Sequence, residues 1–492
     1  MNIISKSTII KSFAWKFMEK CSVQGVSFII SILLARLLMP EEYGIVALVV
    51  IFTNIANVIV EGGFSTALIQ KKGADNIDFS TVLFFSLSIS SVLYIILFVS
   101  SPYIASFYNM AELTPIIRIL NITLFFGAIN SVQTAYVAKN MLFNRLFKCS
   151  LISSILSGCI GIGLAYKGFG VWALVYQRLL SSILTTTTML IWVKWRPILT
   201  FSKERFKSLF DFGLKIFTSN MMISLFMNIR SLLIGKFFTP TALAYFDKGR
   251  YFPSLIMDNI NTSIQTILLP VLSEQQDDVV KVKSMLRRSI KTSSLFIFPL
   301  LIGFTICAEP FVKLLLTDKW LFTVPFIQIF SISYILMPIQ IANVEAIKAL
   351  GHSKTILKLE TFKKILEVSI LIISFFFGVI GISWGVVVYN AICLFVNTYP
   401  CKRLLGYGYK EQFYDILPTL ISASLMGLCI YCFTYIPNLS TEPLLILTTQ
   451  IIFGILIYII LCYFFKIEGF MYVYQTIKNI LTKNTNKTTE LK

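Results

Sequence analysis

The stretch LLARLLMPEEYG, Leu33 to Gly44, opens the reading of the chain. Arg36 stands inside an apolar run, four residues before Pro40 and the acidic pair Glu41 and Glu42. It is either a working charge within a membrane or a marker of a span boundary. About 200 residues later Leu233 to Tyr245 reads LIGKFFTPTALAY, and Lys236 again stands four residues before a proline, Pro240. The echo extends. TPIIRILNITLFF (Thr114 to Phe126) aligns with VPFIQIFSISYIL (Val324 to Leu336), and PYIASFY (Pro102 to Tyr108) with PFVKLLL (Pro310 to Leu316). GVWALVYQ (Gly170 to Gln177) resembles GISWGVVVYN (Gly381 to Asn390). Order and offset are nearly constant, so the chain is expected to be a duplication.

The composition says what is duplicated. The 492 residues are 56% hydrophobic and 14% charged, with a mean hydropathy of +0.78. Soluble domains carry about a quarter charged residues, so this is a polytopic membrane protein. No small-residue cleavage site follows the N-terminal lysines, which argues against a cleaved signal peptide. The net charge of +19 does not indicate nucleic acid, because the basic residues fall in alternating loops. Cys429 and Cys432 form a CxxC within an apolar run and read as buried thiols. The one histidine, His352, cannot build a histidine metal site. Neither a catalytic residue nor a metal site is expected.

Runs of about 20 apolar residues mark spans. We read fourteen, near 21–39, 44–66, 80–101, 115–138, 149–166, 170–193, 209–235, 251–272, 291–309, 324–347, 361–380, 382–399, 416–436 and 444–465. The first has an amphipathic lead-in near Phe13. About 32 of the 43 lysines and arginines fall on one side of this arrangement. That side is cytoplasmic by the positive-inside rule and holds both termini. The expected fold is all-α: a six-helix lobe over 1–200, a second over 201–405 in the same orientation, and an extra helix pair with a basic tail over 406–492. Two parallel lobes related by an axis along the membrane normal are a transporter architecture.

Polar side chains in the spans fall on stripes at 100° per residue. Span eight carries Arg250, Ser254, Asp258, Asn261 and Gln265; span two carries Asn54, Asn57, Glu61 and Ser65. Span one carries Gln24, Ser27 and Ser31, and span seven Asn220, Ser224, Asn228 and Ser231. Arg178, Ser182 and Thr185 share a face in span six; Arg118, Asn121 and Gln133 are near one another in span four. Polar groups in hydrocarbon face protein or a water-filled cavity, so the stripes read either as cavity lining or as helix–helix glue. Arg36 and Lys236 lie off their stripes and are expected to snorkel toward headgroups. Lys215 with Asp211, and Lys348 with Glu345, read as structural pairs within one helix. The chain lacks GxxxxGK[ST] and HExxH, so no ATPase or hydrolase is expected. Glu61 and Asp258 are candidate carriers for H+ or Na+ coupling, without any cofactor. Arg250 on the same stripe is a candidate partner of Asp258.

LLARLLMPEEYGIVAL, EGGFSTALIQKK (Glu61 to Lys72), ALAYFDKGRYFPSLIMDNI (Ala242 to Ile260), LLPVLSEQQDD (Leu268 to Asp278), LLLTDKW (Leu314 to Trp320) and ALGHSKT (Ala349 to Thr355) occur in an order that resembles the Wzx-type oligosaccharide flippases of the multidrug/oligosaccharidyl-lipid/polysaccharide superfamily. The likeness covers about residues 10–405 and is to the branch associated with colanic acid, teichuronic acid and lipopolysaccharide sugars. It implies a V-shaped bundle of two lobes and a central cavity lined by spans 1, 2, 7 and 8. It further implies movement of an undecaprenyl-pyrophosphate-linked oligosaccharide to the outer leaflet of a bacterial inner membrane, with the polysaccharide polymerase machinery as a candidate partner. For such cargo Arg250, Arg178 and Arg118 suit the pyrophosphate. Asn57, Asn261, Gln265, Gln24 and Glu61 suit a sugar. The alternatives are a small-molecule exporter of the same superfamily and a membrane-embedded polymerase or ligase. The latter typically carries a large extracytoplasmic loop, and here the longest such run is about 15 residues.

Overall fold

The computed structural model describes residues 6–433 and 442–471. The end of the basic tail lies outside them. Inside hydrocarbon every backbone amide must be satisfied within its own segment, which makes apolar runs of this length helical. In chain order the helices are α1 (Lys6–Leu37), α2 (Pro40–Glu61), α3 (Phe64–Gln70), α4 (Asn76–Tyr108), α5 (Leu113–Leu120), α6 (Thr123–Lys139), α7 (Phe143–Tyr166), α8 (Val171–Trp192) and α9 (Lys203–Phe237). Then come α10 (Pro240–Glu274), α11 (Val279–Ile306), α12 (Ala308–Leu315), a 3-10 turn (Asp318–Thr323), α13 (Val324–Tyr334), α14 (Met337–Ala349), α15 (Ser353–Phe375), α16 (Gly378–Leu405), α17 (Tyr409–Phe433) and α18 (Pro443–Phe464). No strand occurs among the described residues.

Among the described residues each of the fourteen expected spans falls mainly on helix. Among the described residues, eleven helical segments are long and apolar enough to cross a membrane. The other three expected spans are α8, α10 and α15, of 22, 35 and 23 residues. They have the length and fall short on polarity.

Three expected spans are broken. α2 stops after Glu61 because Gly62 and Gly63 adopt φ of 51° and 71°, a left-handed pair open to glycine at little cost; α3 then completes the span. Spans four and ten break at the α5–α6 and α13–α14 junctions. Helix starts follow capping chemistry. Pro40 is the first residue of α2, and the Glu42 carboxylate accepts the Met39 amide at 2.7 Å. Asp75 caps α4 by accepting the amides of Ile77 and Asp78, and Asp78 accepts the Asp75 amide in return, each at 3.1 Å. That reciprocal pair satisfies donors a helix start leaves open.

The chain forms two compact units, residues 1–244 and 245–492. In the first, α4 packs on α5 and α6, α7 on α8, and α8 on α5 and α6; α1 lies along α7. In the second, the same pairings recur as α11 on α13 and α14, α15 on α16, and α16 on α13 and α14. α9 departs from the parallel. It runs antiparallel along α2 and α3, inside the first unit. Glycines permit that approach: a Cβ on Gly235 would meet Leu48, one on Gly63 would meet the Gly213 carbonyl, and one on Gly44 would meet the Pro240 carbonyl.

α17 docks on α11 through apolar contacts and on α11, α14 and α16 through polar ones. The Asn343 amide donates to Gln412 and Thr398 at 3.0 and 3.1 Å, and Gln412 donates back at 3.1 Å. Asp415 accepts from Tyr407 at 2.8 Å and from Arg287 at 2.6 Å. Buried amides closed on one another in this way fix one helix register.

Candidate functional site

Two groups of polar side chains separate by accessibility. One is consumed inside the units. Asn121 is fully buried, accepting from Thr53 of α2 at 3.2 Å and donating to the Ile117 carbonyl at 2.8 Å. Gln133, twelve residues on in α6, is also fully buried, and its side-chain amide makes no hydrogen bond among the described residues. Arg118 donates to Ser101 at 3.0 Å and lies 4.3 Å over the Phe98 ring. The Asn57 amide oxygen faces Gly127, where a Cβ would approach it to 2.8 Å. The stripe of span four is therefore held within the first unit, and Arg118 with it.

The other group stays accessible in mid-span. In the first unit it includes Asn54 and Glu61 on the α2 stripe, Arg178 on α8 and Asn220 on α9. Gln24 of α1 is half-buried. Tyr43 lies within electrostatic range of Arg178 and donates its hydroxyl to the Ser31 carbonyl at 3.4 Å. In the second unit it is a continuous patch on α10: Asp258, Asn259, Thr262, Ser263, Gln265 and Thr266 are all exposed, and Asn261 is half-buried. The hydroxyls of Thr262, Ser263 and Thr266 bond the carbonyl four residues back, at 2.6, 2.9 and 2.7 Å. Bonds of that kind let hydroxyls lie on a helix in hydrocarbon. The Asn259 amide does the same, donating to the Leu255 carbonyl at 2.9 Å, whereas the amides of Asn261 and Gln265 on the next turns call for water or a polar ligand.

Arg250 corrects an expectation. Its ion pair is with Asp247 at 3.5 Å, three residues before it, and not with Asp258. Residues three apart on a helix are neighbours, whereas eight apart are two turns away. The guanidinium is also 5.9 Å from the Phe246 ring. Lys236 is anchored at the end of its helix: its ammonium lies 3.9 Å over the Phe107 ring and donates to the Phe107 carbonyl, tying α9 to the end of α4. Lys215 with Asp211 at 2.9 Å and Lys348 with Glu345 at 2.7 Å pair as read. Cys429 is half-buried and Cys432 exposed, contrary to the buried reading; the nine cysteines are free thiols. Among the described residues no cluster of His, Cys, Asp and Glu could hold a metal.

Sequence reading missed several charge nodes, among them the Asp415–Arg287 pair and the following two. Asp78, fully buried, accepts from Lys71 at 2.8 Å and pairs with Arg205 at 3.3 Å, which also binds Asp75. This joins α4 to the start of α9. In α15, Lys363 pairs with Glu360, and Lys364 with Glu367 at 2.9 Å, with Lys363 and Glu367 buried. The run LETFKKILE carried the second signal, since four charges at a span edge must find partners. Nothing local pointed to Asp78, whose partners arrive from 7 and 127 residues away.

A membrane-embedded helical duplication with polar mid-span faces is the form of a multi-pass transporter. The family model described as "Polysaccharide biosynthesis protein" matches residues 33–325, more than half of the chain, and the chain belongs to that family. It is 28% identical over 306 residues to the teichuronic acid biosynthesis protein TuaB of Bacillus subtilis (strain 168), covering 61% of this chain and 63% of that one. It is 20% identical over 426 residues to the lipopolysaccharide biosynthesis protein WzxC of Escherichia coli (strain K12), covering 84% and 86%. Its fold matches the lipid II flippase MurJ in an inward closed conformation with a TM-score of 0.71 at 16% identity, over 94% of this chain and 99% of that one. An inward-facing multidrug resistance MATE family transporter matches with a TM-score of 0.61 at 20% identity, over 77% and 94%.

Proposed function

We propose that this chain is a flippase that carries an undecaprenyl-pyrophosphate-linked oligosaccharide from the cytoplasmic to the outer leaflet of a bacterial inner membrane, by alternating access, for surface polysaccharide biosynthesis. Both termini are cytoplasmic in this reading. The carrying observation is the accessible polar patch on α10 between Asp258 and Thr266. Sugar hydroxyls crossing hydrocarbon lose their water, and each needs a replacement donor or acceptor. A patch of amides, hydroxyls and a carboxylate supplies both kinds. Membership in the polysaccharide biosynthesis protein family supports a saccharide over a drug as cargo. Arg178, accessible in mid-span, is the first choice for the pyrophosphate, with Arg250 second because Asp247 already shares it. Glu61 and Asp258 are the candidate groups for H+ or Na+ coupling.

Deletion of the gene should remove the surface glycan without changing drug tolerance. A gene copy carrying Arg178→Ala should fail to restore the glycan at a normal protein level, and Arg178→Lys should restore it in part. Full glycan with Arg178→Ala would remove that residue from the site. Changed drug tolerance with intact glycan would favour the small-molecule exporter.

A further inference from the structure

In the second unit, the last turns of α16 and the first turns of α17 enclose a cavity of about 360 Å³. Its walls are apolar: Ile339 of α14, Leu394 and Phe395 of α16, and Phe413 and Ile416 of α17. Three polar side chains also reach it, and each is already engaged. The Gln412 oxygen accepts from Asn343 at 3.0 Å and from Thr398 at 3.3 Å, and its amide donates to Asn343 at 3.1 Å and to the Tyr407 carbonyl at 3.2 Å. The Thr398 hydroxyl lies 2.7 Å from the Leu394 carbonyl, and the Tyr409 hydroxyl donates to the Phe395 carbonyl at 3.2 Å. With these groups taken up, the interior suits hydrocarbon. Lys410 and Tyr414 line the same cavity and are exposed. Among the described residues, neither side chain makes an ion pair or a hydrogen bond. The acids of the same turns are held by α11: Lys283 binds Glu411 at 2.8 Å, and Arg287 binds Asp415 at 2.6 Å.

We propose that this cavity holds an acyl chain of an anionic phospholipid, with the lipid phosphate on Lys410 and Tyr414. An apolar hollow with a cation and a hydroxyl at its edge complements an amphiphile with a negative head. The position agrees. Leu394 and Thr398 belong to the apolar run over 382–399, whereas Lys410 lies beyond α16, in the first turn of α17. The edge of the cavity is therefore at a span end, the depth at which lysine and tyrosine meet lipid phosphates. Basic positions at that depth attract anionic lipids. The volume is that of a small-ligand site, enough for part of one acyl chain and far short of an undecaprenyl tail. The occupant is thus a lipid of the surrounding bilayer and not the cargo, and the inference does not depend on what the chain transports. A chain held here touches α14, α16 and α17 at once, and so joins the C-terminal helix pair to the lobe it packs on.

The test uses the full chain, purified in an uncharged detergent, with bound lipid read by native mass spectrometry during titration with phosphatidylglycerol. Phosphatidylcholine, undecaprenyl phosphate and glycerophosphoglycerol (the same headgroup without acyl chains) are the comparison probes. Phosphatidylglycerol should bind more tightly than all three. Lys410→Gln, a change at an exposed position, should weaken it about tenfold, the loss of one charge-assisted hydrogen bond. Leu394→Phe, which fills the cavity without altering its charge, should weaken it as well, at an unchanged melting temperature. Equal affinity for glycerophosphoglycerol would overturn the acyl chain as occupant. Tighter binding of undecaprenyl phosphate would overturn the phospholipid in favour of the cargo's own tail. Equal affinity for phosphatidylcholine, or no change in either variant, would overturn the site.

Discussion

Arg250 illustrates how a helical wheel selects a face without selecting a partner. The wheel put Arg250 and Asp258 on one stripe, and both do lie on α10, but Asp247 is a single turn away and takes the guanidinium at 3.5 Å. Asp78 shows the converse. Its burial was invisible because Lys71 and Arg205 reach it from other elements. Asp78→Asn leaves those two cations without their shared carboxylate. Because both are partly exposed, the loss should fall between the exposed and fully buried limits, at about 2 kcal/mol, seen as a lower melting temperature in detergent. An unchanged melting temperature would deny the node a structural role. Asp75 adds a pH dependence. Desolvation pulls its pKa upward, but the Asp78 amide and the Arg205 guanidinium outweigh it, so the carboxyl sits below its usual value. A depressed carboxyl stabilises the fold above its unfolded pKa, about 3.9, and loses that effect as pH falls through the folded value. Asp75→Asn should therefore melt below the wild type at pH 6, and the gap should close below about pH 4. A gap that persists there would contradict the assignment.

At the scale of elements, the breaks in α2–α3 and the path of α9 belong together. The Glu61-Gly62-Gly63 signal stood in the sequence as a glycine pair inside an apolar run, and a break there follows from backbone sterics alone. That the break receives α9 was not legible, because the matching residue, Gly213, carries no polarity or period that names its partner. A Cβ on Gly63 would lie 2.5 Å from the Gly213 carbonyl and 2.8 Å from the Ile216 Cβ. The φ of 71° adds left-handed strain. Gly63→Ala should thus cost about 2–4 kcal/mol, read as reduced folded yield and an earlier thermal transition. Wild-type yield and melting would show that α9 does not press on the break. The polar runs were legible in a further way: α8, α10 and α15, the three expected spans outside the eleven apolar ones, carry Arg178, the Asp258–Thr266 patch and the Glu360–Glu367 pairs. Polarity that weakens a span marks where it meets something other than lipid.

For the whole molecule, the echo between Leu33–Gly44 and Leu233–Tyr245 was the most informative single feature. The pairings of α4 to α8 do recur in α11 to α16, and a Cβ on Gly44 would meet the Pro240 carbonyl, so the first copy of the motif abuts the second. The duplication was legible because each copy must bury similar faces. The departure of α9 was not, since an apolar helix carries no label for the unit it joins. The central claim is transport of a lipid-linked saccharide. Its most direct measurement places the purified full chain in proteoliposomes with an undecaprenyl-pyrophosphate-linked oligosaccharide in one leaflet and follows its appearance in the other with an impermeant lectin or glycosidase. The account predicts protein-dependent exposure of the sugar that is lost with Arg178→Ala. No exposure above protein-free vesicles under either an H+ or a Na+ gradient, with the same protein moving a cationic dye, would contradict it.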